Sequence, residues 1–247
     1  MSLIPKINAT RKILKEYLKD EWDTSILHDL SNKEVEKMYM EGIPKNSKLI
    51  SFGSGSACNF TLSHKYIPSH KLHVVYYNFP ELGRPHTKIT KDCAKKVQNL
   101  YTSLLKPEDS VIVIIIDPIS ENLSLAIEEV YSNGQETLSV EGLSETIVEE
   151  NQENYSLRHF RNIHIFQLDH LTINIKNHSL VPEHVAIRNE EDITTILTNT
   201  NAKLHQLPII QRNDIQAKIL RLAPGDICEI TRRTVTGGDI PYYRVCK

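Results

Sequence analysis

The chain predicts an α/β fold followed by a small α+β module, and three observations carry that expectation. Val111 to Ile116 is a continuous β-branched run. Without polar alternation it reads as a strand buried on both faces, mid-sheet, with helices on either side. Around it, helical and strand-like segments alternate, which is the pattern of an α/β sandwich. The last 45 residues, Lys203 to Lys247, read as helix, turn, strand, turn, strand. The boundary falls near Val181, giving domains 1–180 and 181–247.

Ile7 to Leu30 forms an amphipathic helix, with Ile13, Leu14, Tyr17, Leu18 and Trp22 at helical spacing. A second helix starts at Ser31, where Glu34 completes a capping box; it buries Val35, Met38 and Tyr39 and stops at Gly42 and Pro44. Lys48 to Phe52 is a strand candidate, followed by Gly53-Ser54-Gly55-Ser56. That turn lacks the spacing of a phosphate loop and reads as a hairpin turn. Leu72 to Tyr77 is a strand. His64, His70, His73 and His86 surround it without metal-ligand spacing, and read as surface or strand histidines. Lys91 to Leu105 is a helix with Cys93, Val97, Leu100 and Leu104 on one stripe, broken by Pro107. Asp117-Pro118 closes the central strand as a turn. Ser120 to Tyr131 returns as a helix, and Ile163 to Phe166 and Leu171 to Ile175 supply further strands. Gly134 to Ser156 carries six glutamates and no Lys or Arg. It reads as an inserted, mobile, solvated loop, or as a docking site for a basic partner. Asn189 caps a helix through Leu197.

Composition narrows the function. The formal net charge is −2, so nothing in bulk announces a protein that coats DNA. Four scattered cysteines read as reduced thiols of an intracellular protein. There is no signal peptide, and the longest apolar run is too short to span a bilayer. A soluble protein without membrane contact is expected.

The end module has every joint marked. Leu207-Pro208 opens it in extended conformation. Asp214 is the N-cap of a helix from Ile215 to Leu222. Pro224-Gly225-Asp226 is a turn, Ile227 to Thr231 a half-buried strand, Thr236-Gly237-Gly238-Asp239 a second turn, and Tyr242 to Cys246 the last strand. Leu180-Val181-Pro182-Glu183-His184, Leu207-Pro208-Ile209-Ile210-Gln211-Arg212-Asn213-Asp214, Gly225-Asp226-Ile227, Ile230-Thr231-Arg232, Thr236-Gly237-Gly238 and Tyr243-Arg244-Val245 follow one another as a single pattern, gapless from Leu207 to the end. Together they resemble the C-terminal assembly module of the fifth-largest subunit shared by eukaryotic nuclear RNA polymerases. They are similar also to a small archaeal RNA polymerase subunit that is this module standing alone. The chain departs from the pattern at Ile215, where the family usually has proline, at Arg221, where it has glycine, and at Val235, where it has glutamate. These departures suggest a divergent member, from a fast-evolving lineage or a large DNA virus.

The resemblance implies a non-catalytic subunit of a multisubunit DNA-directed RNA polymerase. Its N-terminal domain would be a jaw beside the downstream duplex DNA, with a nuclease-like central sheet that lacks an active site. Its C-terminal module would bind the largest polymerase subunit, and through it the rest of the core, using Leu207, Pro208, Gln211, Arg212, Asp214, Gly225, Arg232, Thr236, Gly238, Tyr243 and Arg244. The jaw's DNA-facing loop would be Ser120 to Ser124, with Ser120, Asn122 and Ser124 as contacts, although Glu121 would repel phosphate. No catalytic residue, metal, cofactor or small-molecule ligand is implied. The location would be the nucleus, or a virion or host cytoplasm for a viral source. From Lys203 onward eight cations face four acids, which suits either a protein interface or phosphate contact. The alternatives are a divergent metal-dependent nuclease centred on Asp117, against which the missing Glu-x-Lys counts, and a standalone DNA-binding regulator.

Overall fold

The continuous apolar run forms the strand β3 (Ser110–Ile115), and all six of its side chains are buried. In the computed structural model, which describes residues 2–41, 54–85, 88–89, 92–153, 155–234 and 238–247, β3 is interior to a four-stranded sheet. Its companions are β1 (Phe60–Ser63), β2 (Lys71–Tyr76) and β4 (Ile163–Gln167), in the order β1-β2-β3-β4. β1 runs antiparallel to β2, while β2, β3 and β4 are parallel. The helices that make the two parallel crossovers are α3 (Asp92–Ser103) and α4 (Glu121–Glu141). Both pack on one face, where Val111, Val113 and Ile115 meet Val97, Leu100, Ile127 and Val130. Right-handed crossovers stepping in one direction across a sheet put their helices on the same side. Ile112 and Ile114, on the opposite face, are equally buried.

At the N-terminal end, α1 (Leu3–Leu18) is shorter than its apolar pattern suggests. It ends before Trp22, which leaves the helix to bridge His64. Asp23 then accepts from the Ser25 N–H at 3.0 Å, a local bond that competes with helix. The capping box of α2 (Asn32–Glu41) is present in full. Glu34 accepts from the Ser31 N–H at 2.7 Å, and the Ser31 hydroxyl accepts from the Glu34 N–H at 3.3 Å. Val35 and Tyr39 are buried, and Met38 only half so. The strand expected at Lys48–Phe52, Gly53, the stops at Gly42 and Pro44, and His86 lie outside the described residues.

Two expectations about surface segments are corrected. His64 and His70 are core residues, not surface ones: each is 4% exposed. Trp22 packs edge-on against both rings, at 5.0 and 5.1 Å. His64 Nδ1 accepts from the Ile67 N–H, and His70 Nε2 meets the Ser110 hydroxyl. The acidic stretch from Gly134 is not a mobile loop. α4 continues through Gly134 to Glu141, and α5 (Glu145–Glu150) follows. Leu138 and Ile147 are fully buried, and Glu150 accepts from both the Ser69 N–H and hydroxyl. Gly134 lies where Arg161 crosses the helix. A Cβ there would sit 2.4 Å from Arg161 Nε, so this glycine makes room for a side chain rather than breaking the helix. The strand expected at Leu171–Ile175 is also absent. Two 3₁₀ turns, Leu168–Leu171 and Ile175–Asn177, stand there, because Asn174 accepts from the Lys176 N–H and satisfies the backbone locally.

The second sheet has the order β5-β7-β8-β6, from β5 (Glu183–Ile187), β6 (Ile209–Ile210), β7 (Ile227–Thr234) and β8 (Gly238–Cys246). Two helices belong with it, α6 (Glu190–Asn199), capped by Asn189 as expected, and α7 (Ile215–Ile219), capped by Asp214. The chain divides into two compact units. One comprises residues 1–150 and 160–173, the other 151–159 and 174–247. The division therefore falls earlier than Val181, and the segment 151–159 joins the second unit. Among the described residues no helix is long and apolar enough to cross a membrane.

Candidate functional site

Alternation along β7 and β8 sorts the second unit into two packed layers. Ile227 and Val245 face Ile193 of α6 and Leu207. Cys228, Ile230 and Cys246 face the other way, onto Ala217 of α7 and Leu222. A two-residue period with apolar groups at both phases produces this arrangement, because each face has a helix to cover it. All four cysteines are buried and none is in a disulfide. Burial pushes the Cys58 and Cys228 thiols up to about 11 and Cys93 up to about 12, so these three stay protonated and inert.

The turn between α7 and β7 is the electrostatic centre of the unit. Pro224 and Gly225 (φ +95°) occupy the middle of a type II turn closed by Asp226 N–H to Ala223 O at 3.0 Å. Asp226 is fully buried. Its Oδ1 accepts from His159 Nε2 at 2.8 Å and from Arg158 Nε at 3.1 Å; its Oδ2 accepts from the Ala223 N–H at 2.8 Å. Arg188 Nε lies 3.7 Å from Oδ2, and Arg188 Nη2 donates to the Leu220 carbonyl. Burial alone would raise the Asp226 carboxyl. The His159 hydrogen bond, the charges of His159 and Arg188, and the Ala223 N–H outweigh it and hold the group below the usual carboxylate range. Thus Asp226 ties three separate stretches of chain together. Only its motif neighbours Gly225 and Ile227 hint at this, since the partners come from 38 to 68 positions away.

α7 ends in a Schellman motif. Leu222 N–H bonds to Ala217 O at 2.9 Å and Arg221 N–H to Lys218 O at 3.1 Å. The residue between cap and exit, Arg221, has φ +55°, and this is the position where the resemblance expects glycine. A side chain in that region carries strain that glycine lacks. We predict that Arg221→Gly unfolds at about 1 kcal/mol higher stability than Arg221→Ala. Both variants lose the guanidinium, so urea denaturation of the pair isolates the backbone term.

The residues singled out for binding fall into two groups. Leu207 is core, Arg212 is 6% exposed, Asp214 accepts from the Gln216 N–H to cap α7, and Gly225 makes the turn. Leu207 and Arg212 hold the unit together from inside, while exposed Asp214 and half-buried Gly225 shape its backbone. Pro208, Gln211, Arg232 and Gly238 are exposed, and Tyr243 and Arg244 are half-buried. Thr236 lies outside the described residues. The exposed members of β7 and β8 are brought together on the hairpin. Arg232 lies 4.2 Å from the Tyr242 ring centroid and Arg244 5.7 Å from it. Tyr242 was not among the expected residues.

In the first unit Ser120 to Ser124 opens α4, in keeping with the helix expected from Ser120. Ser120 is the N-cap, its hydroxyl accepting from the Leu123 N–H at 3.3 Å, and Ser124 is buried. Ser120 and Asn122 alone of the three are exposed. Ser120→Ala is expected to lower thermal stability by about 1 kcal/mol while Ser120→Asp, which keeps the cap, leaves it near wild type; equal melting of the two variants would contradict the capping role. Asp117 accepts from the Ile89 N–H at 2.8 Å, 28 positions away. Among the described residues no three His, Cys, Asp or Glu side chains are grouped to hold a metal ion.

Residues 173–246 match the family model described as RNA polymerase Rpb5, C-terminal domain, nearly the whole of the second unit. Over 70 residues the chain is 46% identical to the DNA-directed RNA polymerase subunit Rpo5 of Aeropyrum pernix, covering 28% of this chain and 77% of that protein. The chain belongs to the Rpb5/Rpo5 family of RNA polymerase subunits. Pyrococcus horikoshii Rpo5 is 46% identical over 72 residues, 29% of this chain and 87% of that protein. The Dictyostelium discoideum protein named as subunit rpabc1 of DNA-directed RNA polymerases I, II and III is 40% identical over 76 residues, 31% of this chain and 38% of that one. The family match includes Asp226, the Schellman turn and the hairpin.

Proposed function

We propose that this Rpb5-type subunit anchors itself to the largest subunit of a DNA-directed RNA polymerase through its second unit. Its first unit flanks the downstream duplex as a jaw. It is a non-catalytic subunit acting in transcription, located where the polymerase is, in the nucleus for a cellular source. The observation that carries the reading is the coincidence of the family match, residues 173–246, with the second compact unit. That unit presents an exposed basic hairpin rather than a cleft. Arginines on an open strand pair, Arg232 exposed and Arg244 half-buried, suit a protein partner bearing carboxylates.

Affinity purification of the tagged full-length chain from its native source tests the anchor. Stoichiometric recovery of two very large polymerase subunits is expected. Recovery of the chain alone would sink the proposal. The jaw placement has its own test: a photo-cross-linker at Asn122 in the purified polymerase is expected to label duplex DNA ahead of the transcribing site. Labelling of protein only would overturn it. α4 and α5 carry no Lys or Arg, so a DNA contact made at the start of α4 owes little to counterion release there and should depend weakly on salt.

A further inference from the structure

The two faces of the β7–β8 hairpin treat their charges differently. On one face Arg233 and Asp239, paired in register, lie 3.5 Å apart and neutralise each other. On the other face Arg232 sits over Tyr242, with Arg244 beyond it and exposed Ile240 opposite Arg232. Arg244 Nη1 donates to the Ile209 carbonyl at 3.4 Å. Neither Arg232 nor Arg244 has a carboxylate within ion-pair distance among the described residues. A guanidinium lying on a ring is held flat with its N–H edges outward, so less side-chain freedom is lost when it grips a carboxylate. The result is two basic forks flanking an aromatic, with an apolar step beside them.

The strand edge argues for the manner of docking. β6 covers β8 only at Val245 and Cys246, which leaves the rest of that edge open among the described residues. Val245 N–H points to the β6 side, bonding Pro208 O, while Cys246 N–H points back to the turn before β7. By alternation, Pro241 turns its missing N–H toward the open edge. Proline at an edge is a guard against added strands. An occupant is therefore better placed across the face than along the edge.

We propose that the face formed by Arg232, Ile240, Tyr242 and Arg244 binds an extended acidic segment of the polymerase's largest subunit, with carboxylates on the two guanidiniums and an apolar side chain on Ile240. This rests on the anchoring role proposed above and names the chemistry of the partner. An extended chain rises about 3.3 Å per residue, so acids two or three residues apart reach both arginines. A protein segment is favoured over nucleic acid because Ile240 offers an apolar contact, and because the chain as a whole is net acidic, at −2.

The test uses the full-length tagged chain and the polymerase it co-purifies with. Arg232→Glu, on an exposed position, is expected to reduce recovery of the largest subunit roughly tenfold or more. Arg233→Glu, on the opposite face, should leave recovery unchanged. Thermal melting confirms that both variants fold. Arg232→Lys, which keeps the charge and adds an amine, is then treated with a zero-length carbodiimide. A cross-link from position 232 to an Asp or Glu of the largest subunit is the expected product. Undiminished recovery with Arg232→Glu would overturn the proposal. So would loss of the complex on nuclease treatment, which would make nucleic acid the occupant. If the wild-type chain recovers no large subunit at all, the anchoring role itself fails, and this inference with it.

Discussion

Asp226→Ala is expected to destabilise the second unit by about 3–5 kcal/mol, the cost of stranding buried charges whose partner is gone. Arg158, which keeps Glu190, and His159 lose the oxygen they share, Arg188 loses the charge of Asp226, and the Ala223 N–H loses its acceptor. Arg188 is already burdened: burial pulls its charge down and Asp226 supports it. Hydrogen exchange at β7 and β8 amides, followed with urea denaturation, measures the loss. A change below about 1 kcal/mol would mean that the cluster is worth no more than a surface pair. The pH dependence has a definite sign. The Asp226 carboxyl is held below its ordinary range, so the folded state binds this proton less readily than the unfolded chain. The contribution is fully present above the unfolded value of about 3.9 and is lost as pH falls through the folded pKa. Asp226→Asn should therefore be less stable at neutral pH and show a flatter acid limb than wild type. An unchanged acid limb would assign the acid sensitivity to other carboxylates.

Ile114→Ala is expected to cost the first unit about 2–5 kcal/mol, the lost transfer energy of the side chain plus the cavity it leaves. Ile114 is fully buried in the strand that has a parallel partner on each side, at Tyr76 and Phe166. A mid-sheet backbone held by two ladders cannot move in to fill the space. Ile114→Val, one methylene smaller, should cost about 1 kcal/mol. Equal melting of wild type and Ile114→Ala would show that this face of the sheet is less well packed than it looks.

Local chemistry was readable wherever one short stretch contains its own reasons. The Ser31–Glu34 box, the Asn189 and Asp214 caps and the Pro224-Gly225 turn are each settled by neighbours within four residues. The same holds for β3, whose unbroken β-branched run admits only a buried strand. The acidic segment misleads because its charge hides its helical period. Leu123, Ile127, Val130, Tyr131, Gly134 and Leu138 form one helical stripe that runs unbroken past the glycine, and every member is buried. Among the residues expected to bind, sequence order groups core residues with exposed ones. Leu207 and Arg212 sit inside, Arg232 and Gly238 outside, and only the packing of α6 and α7 on the sheet tells them apart.

By itself the sequence determined the family and most of the turns described in its C-terminal module, because these rest on gapless motifs and on bonds between near neighbours. The tertiary structure alone decided what Asp226 and Tyr242 do. One collects Arg158, His159 and Arg188 across 38 to 68 positions, and the other meets Arg232 only through the pairing of β7 with β8. Contacts of that kind are set by strand register and chain crossing, which no local pattern of residues encodes.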